Sequence, residues 1–187
     1  MTLKLDDCSD GELAALALGG RQSAYTALLT RYREPVFRVV RGTIGDNDAA
    51  VDVTQEAFVS AFAALKSYDG ERPFKTWISR IAINKCRDWA RRRSVRRFFS
   101  FALPIEAAAA ISDDTIPADQ QLSDRAELAR VQAAIAMLPQ SIREPLVLRT
   151  IEGMTQAEAA QVLGISEKAV ETRLYRARGR LTELLRD

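Results

Sequence analysis

The chain has 187 residues, enough for two small domains, and its 27 lysines and arginines against 25 acidic residues leave a net charge of only +2. With no histidine and two cysteines, it lacks the usual general base, the commonest metal ligand and any four-ligand Cys/His zinc arrangement. No cofactor and no metal site is expected, and the arginines must matter through placement rather than through total charge.

Helical periodicity dominates the chain and strand alternation is unconvincing throughout, so an all-α fold is expected. The N-terminus sets Asp6, Asp7, Asp10 and Glu12 around the apolar run Leu13 to Leu18. A secretory signal needs positive charge first, so this reads as an amphipathic helix. No apolar run approaches the roughly 18 residues that span a bilayer. Cys8 and Cys86, far apart in the chain, read as free thiols. A protein without membrane insertion, located in the reducing cytoplasm, is expected. Four helices follow over Asp10 to Leu18, Ser23 to Arg41, Asp46 to Leu65 and Phe74 to Arg93, parted by Gly19-Gly20, Gly45-Asp46 and Asp69-Gly70. Together they make one N-terminal bundle over 1–93.

The third of these helices buries Val53, Ala57, Phe58, Ala61, Phe62 and Leu65, which turns Asp52, Gln55, Glu56 and Val59 to the other side. By spacing alone this face is either solvated or a docking surface. After the loop Tyr68 to Phe74 comes KTWISRIAINKCRDWARRRSVRR, where Trp77, Ile78, Ile81 and Trp89 lie among Lys75, Arg80, Arg87, Arg91, Arg92 and further arginines. Cations interleaved with aromatics suit a phosphate backbone and unstacked bases, which favours single-stranded or melted DNA. A pair of core tryptophans beside a solvated basic helix end fits the same pattern.

From Ser94 the periodicity fails, and 94–123, with Pro104, Pro117 and the acidic Asp113, Asp114 and Asp119, is expected to be a flexible linker. Drawn out, such a tether reaches up to roughly 100 Å. A second domain over 124–187 begins with helices near Asp124 to Met137 and Ser141 to Ile151. It ends in TQAEAAQVLGISEKAVETRL, a helix-turn-helix: Thr155 and Glu158 make a capping box, Gly164 ends the first helix and Ser166 caps the second. Burying Val170, Leu174, Ala177 and Leu181 turns Lys168, Thr172, Arg173 and Arg176 outward, with Arg178 and Arg180 beyond them.

DVTQEAF (Asp52 to Phe58), YDGERPFKTWISRIAIN (Tyr68 to Asn84) and the stretch Leu138 to Leu181 resemble the extracytoplasmic-function group of bacterial sigma factors, over nearly the whole chain. The resemblance implies a non-catalytic subunit of RNA polymerase. Its first domain would dock on the clamp helices of the largest subunit through Asp52, Gln55 and Glu56, and would capture a flipped −10 base at the Tyr68 to Phe74 loop. Tyr68, Arg72, Phe74, Trp77 and Asn84 are the residues this implies for the −10 strand, with Arg87, Arg91 and Arg92 on phosphates. Lys168, Thr172, Arg173, Arg176 and Arg178 would read the −35 element. Lys168-Ala169 and Glu171 depart from the group's usual Gly-Thr pair and basic residue, which leaves the −35 sequence open. The implied partners are core RNA polymerase, promoter DNA and an anti-sigma factor. A dimeric regulator would have no use for the Asp52 face, and a recombinase would need a nucleophile or a carboxylate-metal cluster.

Overall fold

The computed structural model describes the backbone of residues 4–102 and 119–186. Among the described residues there are α-helices and no strands. Helices α1 (Asp10–Leu18), α2 (Gln22–Ile44), α3 (Asn47–Ala63) and α4 (Phe74–Ala102) form the first bundle, and α5 (Asp119–Met137), α6 (Gln140–Leu146), α7 (Gln156–Leu163) and α8 (Glu167–Leu185) form the second.

Local chemistry sets the helix ends. Ser9 Oγ accepts the Glu12 N–H at 3.2 Å while the Glu12 carboxylate accepts the Ser9 N–H at 2.7 Å, which satisfies two orphan donors at the start of α1. Gly45, at φ 75°, closes α2 in the left-handed conformation, and Asp46 immediately caps α3 by accepting the Ala49 N–H at 3.1 Å. The predicted α3 stripe is the packed one: Val53, Ala57, Phe58 and Ala61 are buried with Leu13, Leu28, Val36, Val40 and Ile78.

Helix α4 continues nine residues beyond Arg93, so the linker does not begin at Ser94. Every residue from Arg91 to Phe99 is exposed, so burial of these side chains does not drive the extension. Arginine is a good helix former, no proline or glycine intervenes before Pro104, and adding residues to an existing helix carries no nucleation cost. Residues 103–118 of the expected linker, with Asp113 and Asp114, lie outside the described residues. Helix α5 then starts at Asp119, ahead of the expected Asp124.

The two bundles pack against each other. Val39 of α2 and Ile83 of α4, both fully buried, belong to the second core, together with Leu146, Val147, Leu148 and Met154. Close approach is possible because α2 carries Gly42: a Cβ there would stand 2.9 Å from Ile151 Cδ1 and 3.1 Å from Val147 Cγ1. A π-helical turn over Val147–Ile151 ends α6, with the Glu152 N–H bonded to the Val147 carbonyl at 3.1 Å, and it sets Glu152 against α2 and α4.

Candidate DNA and polymerase interfaces

On α3, Asp52 and Gln55 are exposed, Glu56 is half-buried and Val59 is 70% exposed, so one helix face presents acid, amide and aliphatic groups together. Across a groove stand Trp89, Arg91 and Arg92 of α4. Arg92 spans it, with Nη2 3.2 Å from Glu56 Oε2. Arg93 reaches Asp46 at 3.7 Å while its guanidinium lies 4.9 Å from the centre of the Trp89 ring. Arg91 pairs with Asp88 one turn back at 3.0 Å. Arg91 and Arg92 therefore line the acidic α3 face, whereas the resemblance implies phosphates of the −10 strand for them.

The Tyr68 to Phe74 loop is fixed from within. Tyr68 Oη donates to the Arg72 carbonyl at 2.5 Å, the Glu71 N–H donates to Asp69 Oδ1 at 3.2 Å, and Arg72 Nε meets Asp69 at 3.1 Å. Gly11 packs under it so closely that a Cβ would stand 2.8 Å from the Gly70 carbonyl oxygen. Burial, followed by the negative charges of Asp10 and Asp69, pushes the Tyr68 hydroxyl up to about 12, so it stays a donor at neutral pH. Tyr68, Arg72, Trp77 and Arg80 line a cleft of about 310 Å³ beside the loop.

Phe74 does not line that cleft. It is 0% exposed, with its ring 5.0 Å from Tyr32, 5.1 Å from Tyr68 and 5.3 Å from Trp77, between centroids. The expectation that Phe74 meets a base is corrected here: its apolar ring is the floor on which half-buried Tyr68 and Trp77 rest. Asn84 is exposed on α4 and its Oδ1 accepts from Arg87 at 3.3 Å. Arg87 grips Glu144 of α6 with two bonds, 3.0 Å from Nε and 2.6 Å from Nη2. That hydrogen-bonded carboxylate raises the guanidinium's pKa further.

The helix-turn-helix has the expected joints. Thr155 Oγ1 accepts the Glu158 N–H at 3.2 Å and Glu158 Oε2 accepts the Thr155 N–H at 2.6 Å, which holds the Glu158 carboxyl below the usual range. Gly164 sits at φ 68°, and Ser166 Oγ accepts the Ala169 N–H at 3.2 Å. Val170, Leu174 and Ala177 are buried, which leaves Lys168, Thr172, Arg176 and Arg178 exposed and Arg173 half-buried. Lys168 Nζ meets Glu171 Oε2 at 2.9 Å, so the departing acidic residue is engaged by its neighbour on the same helix. Tyr175, 80% exposed on this face, was missed in the sequence, as were Glu144 and Glu152 of the domain contact. A carboxylate directly ahead of the apolar stretch Pro145 to Leu148 is the available signal for Glu144.

A family model described as Sigma-70 region 2 matches residues 28–96, and one described as Sigma-70, region 4 matches residues 128–181. The RNA polymerase sigma factor CnrH of Cupriavidus metallidurans is 41% identical over 180 residues, covering 95% of this chain and 94% of that protein. The ECF RNA polymerase sigma factor SigW of Bacillus subtilis is 30% identical over 178 residues, 90% of this chain and 92% of that one. The chain belongs to the extracytoplasmic-function sigma factors. It is a non-enzymatic subunit through which RNA polymerase recognises promoters and initiates transcription. The solved structure of CnrH in complex with the cytosolic domain of CnrY matches this sigma factor with a TM-score of 0.69 at 36% identity, over 94% of this chain and 96% of that one. The sigma factor RpoE from Bartonella quintana, solved with the anti-sigma factor NepR, shares the fold with a TM-score of 0.67 at 24% identity, over 87% and 96%. No described helix of the sigma factor is long and apolar enough to cross a membrane.

Proposed function

We propose that the first domain docks on the clamp helices of the polymerase's largest subunit through Asp52, Gln55 and Glu56, and that it reads the −10 strand with the cleft beside the Tyr68 loop. The observation that carries this is the division of one bundle into two unlike faces. On α3 acids and Val59 are exposed beside Arg92, while on the loop side Tyr68 and Trp77 present ring surface next to Arg72 and Arg80. The first chemistry fits a protein partner and the second fits an unstacked base with its phosphates. Tyr68 and Trp77 supply the stacking surface, Arg72 and Asn84 the polar edge, and Phe74 supports them from below. In the second domain Lys168, Thr172, Arg173, Arg176 and Arg178 face the −35 groove, joined there by Tyr175. Cytoplasmic polymerase is the site of action. An anti-sigma factor is proposed as a further partner, in keeping with the solved complex of the CnrH relative with the cytosolic domain of a second protein, CnrY.

Co-purification with core polymerase followed by run-off transcription tests the docking half. Asp52→Ala with Glu56→Ala should weaken core binding on every promoter, and added salt should not reproduce the defect through counterion release from DNA. Unchanged core affinity with altered DNA binding would remove the α3 face from this role.

A further inference from the structure

We propose that the free sigma factor masks its own −10 surface, with the second domain latched over the first by Glu144 and Glu152 acting as internal substitutes for DNA phosphates. The proposal rests on the reading of the cleft and α4 as the −10 surface.

Gln161 of α7 is the second domain's contribution to the cleft lined by Tyr68, Arg72, Trp77 and Arg80, so the first helix of the helix-turn-helix stands beside the place where a flipped base and its strand would enter. Three cations of α2 and α4 at the domain contact, Arg38, Lys75 and Arg87, are already occupied. Arg87 holds Glu144 through two bonds, the geometry with which a guanidinium takes a phosphate. Lys75 Nζ lies 2.9 Å from Glu152 Oε1, and Arg38 Nη2 lies 3.0 Å from Glu152 Oε2. Both carboxylates are 2% exposed, while their three cationic partners keep between a third and a half of their side-chain surface. The acids are thus committed to the contact and the bases remain reachable. A carboxylate buried in this way is costly without its partner, so each pair favours closure over an arrangement that leaves the acid in place and the base elsewhere.

Apolar packing does the rest. Val39 and Ile83 complete the second core, and opening would return them to water along with Val147. The −35 face is left out of the contact, since Lys168, Thr172, Tyr175 and Arg176 are exposed. One reader is covered and the other is open.

Gly42→Leu separates closure from charge. The added side chain has no room against Ile151 and Val147, alters no charged group, and is a better helix former than glycine, so α2 itself is not weakened. Small-angle scattering on the full chain should give the wild type a radius of gyration near the about 16 Å of a chain this long packed as one body, and Gly42→Leu a value larger by roughly a quarter or more, with unchanged helicity by circular dichroism. Fluorescence anisotropy with a short labelled single-stranded oligonucleotide of mixed sequence should show binding about tenfold tighter or better for Gly42→Leu, without polymerase. The latch has its own cycle: Glu144→Arg and Arg87→Glu should each expand the chain, and the two together should close it again by reversing the pair. A wild type already expanded, or a double variant as open as the singles, overturns the latch. Expansion of Gly42→Leu with no gain in single-strand affinity overturns the masking alone if Arg72→Ala with Asn84→Ala still impairs promoter opening in the holoenzyme. If that pair opens promoters normally, the −10 assignment fails and the masking falls with it.

Discussion

Replacing Phe74 with alanine distinguishes a floor from a platform. The side chain is completely buried and touches three aromatic rings, Tyr32, Tyr68 and Trp77, at centroid distances of 5.0 to 5.3 Å. Truncating a buried phenylalanine removes its transfer free energy and leaves a cavity, for a cost of about 3 to 5 kcal/mol. For a protein of this size each kcal/mol lowers the melting temperature by about 2 to 4 °C, so a fall of about 6 to 20 °C is expected for the domain that contains Phe74. Phe74→Leu keeps most of the apolar volume and should lose less than half as much. Differential scanning calorimetry of the free protein reads stability, and permanganate footprinting of the holoenzyme reads opened thymines. Opening should fail in Phe74→Ala in proportion to lost fold and should largely survive in Phe74→Leu. A Phe74→Ala protein melting within about 3 °C of wild type, yet unable to open promoters, would refute the core assignment and return Phe74 to the base pocket.

Three further outcomes can be measured. Arg176→Ala should reduce the salt slope of promoter binding by about one unit and weaken all promoters similarly, whereas Arg173→Ala should cost about 1 to 3 kcal/mol and relax preference at one −35 position, both read by anisotropy titrations at several salt concentrations. Thr155→Ala should cost about 1 kcal/mol of stability to urea at neutral pH through loss of the α7 cap. Because Glu158 is held below its ordinary value of 4.5 by its bonds to Thr155, its contribution is complete above that value and vanishes as pH falls through the lowered folded value. The wild-type advantage over Thr155→Ala should therefore shrink in acid by the share that the hydroxyl's bond to the carboxylate supplies, and a constant difference down to strongly acidic pH would exclude that bond from the cap. Cys86, whose thiol burial pushes up to about 12, should resist maleimide at neutral pH until the protein is unfolded.

How legible the chain was depended on whether the signal was local. The caps at Thr155, Gly164 and Ser166 and the stripes of α3 and α8 follow from neighbouring residues and turn rules, and they stand where the spacing put them. The end of α4 departs from the expectation because loss of hydrophobic period is not loss of helix. Arg91 to Phe99 shows that exposed arginines continue a helix that buried residues started. Assigning Phe74 to the base rests on the resemblance, which matches positions and says nothing of burial, and only the neighbours Tyr32, Tyr68 and Trp77 show that the ring is enclosed. The domain contact was beyond local reading altogether: Arg87 and Glu144 are 57 positions apart, and Arg38 and Glu152 are 114 apart.

The exposed end of α4 changes what the connection between the two readers can measure. A helix advances about 1.5 Å per residue where an extended chain advances about 3.3 to 3.6 Å, so the nine residues after Arg93 cover about 13 Å instead of roughly 30 Å. Residues 119–123, already in α5, shorten the span in the same way, and 103–118 can reach no further than about 55 Å at full stretch. With every piece in line the reach falls from roughly 100 Å to about 75 Å, against about 70 Å between promoter elements two DNA turns apart. A strap this close to taut acts as a gauge. Promoters whose elements stand one turn further apart lie outside its range unless the end of a helix unwinds, and the exposed stretch from Ser94 to Phe99 of α4 is where that slack would come from.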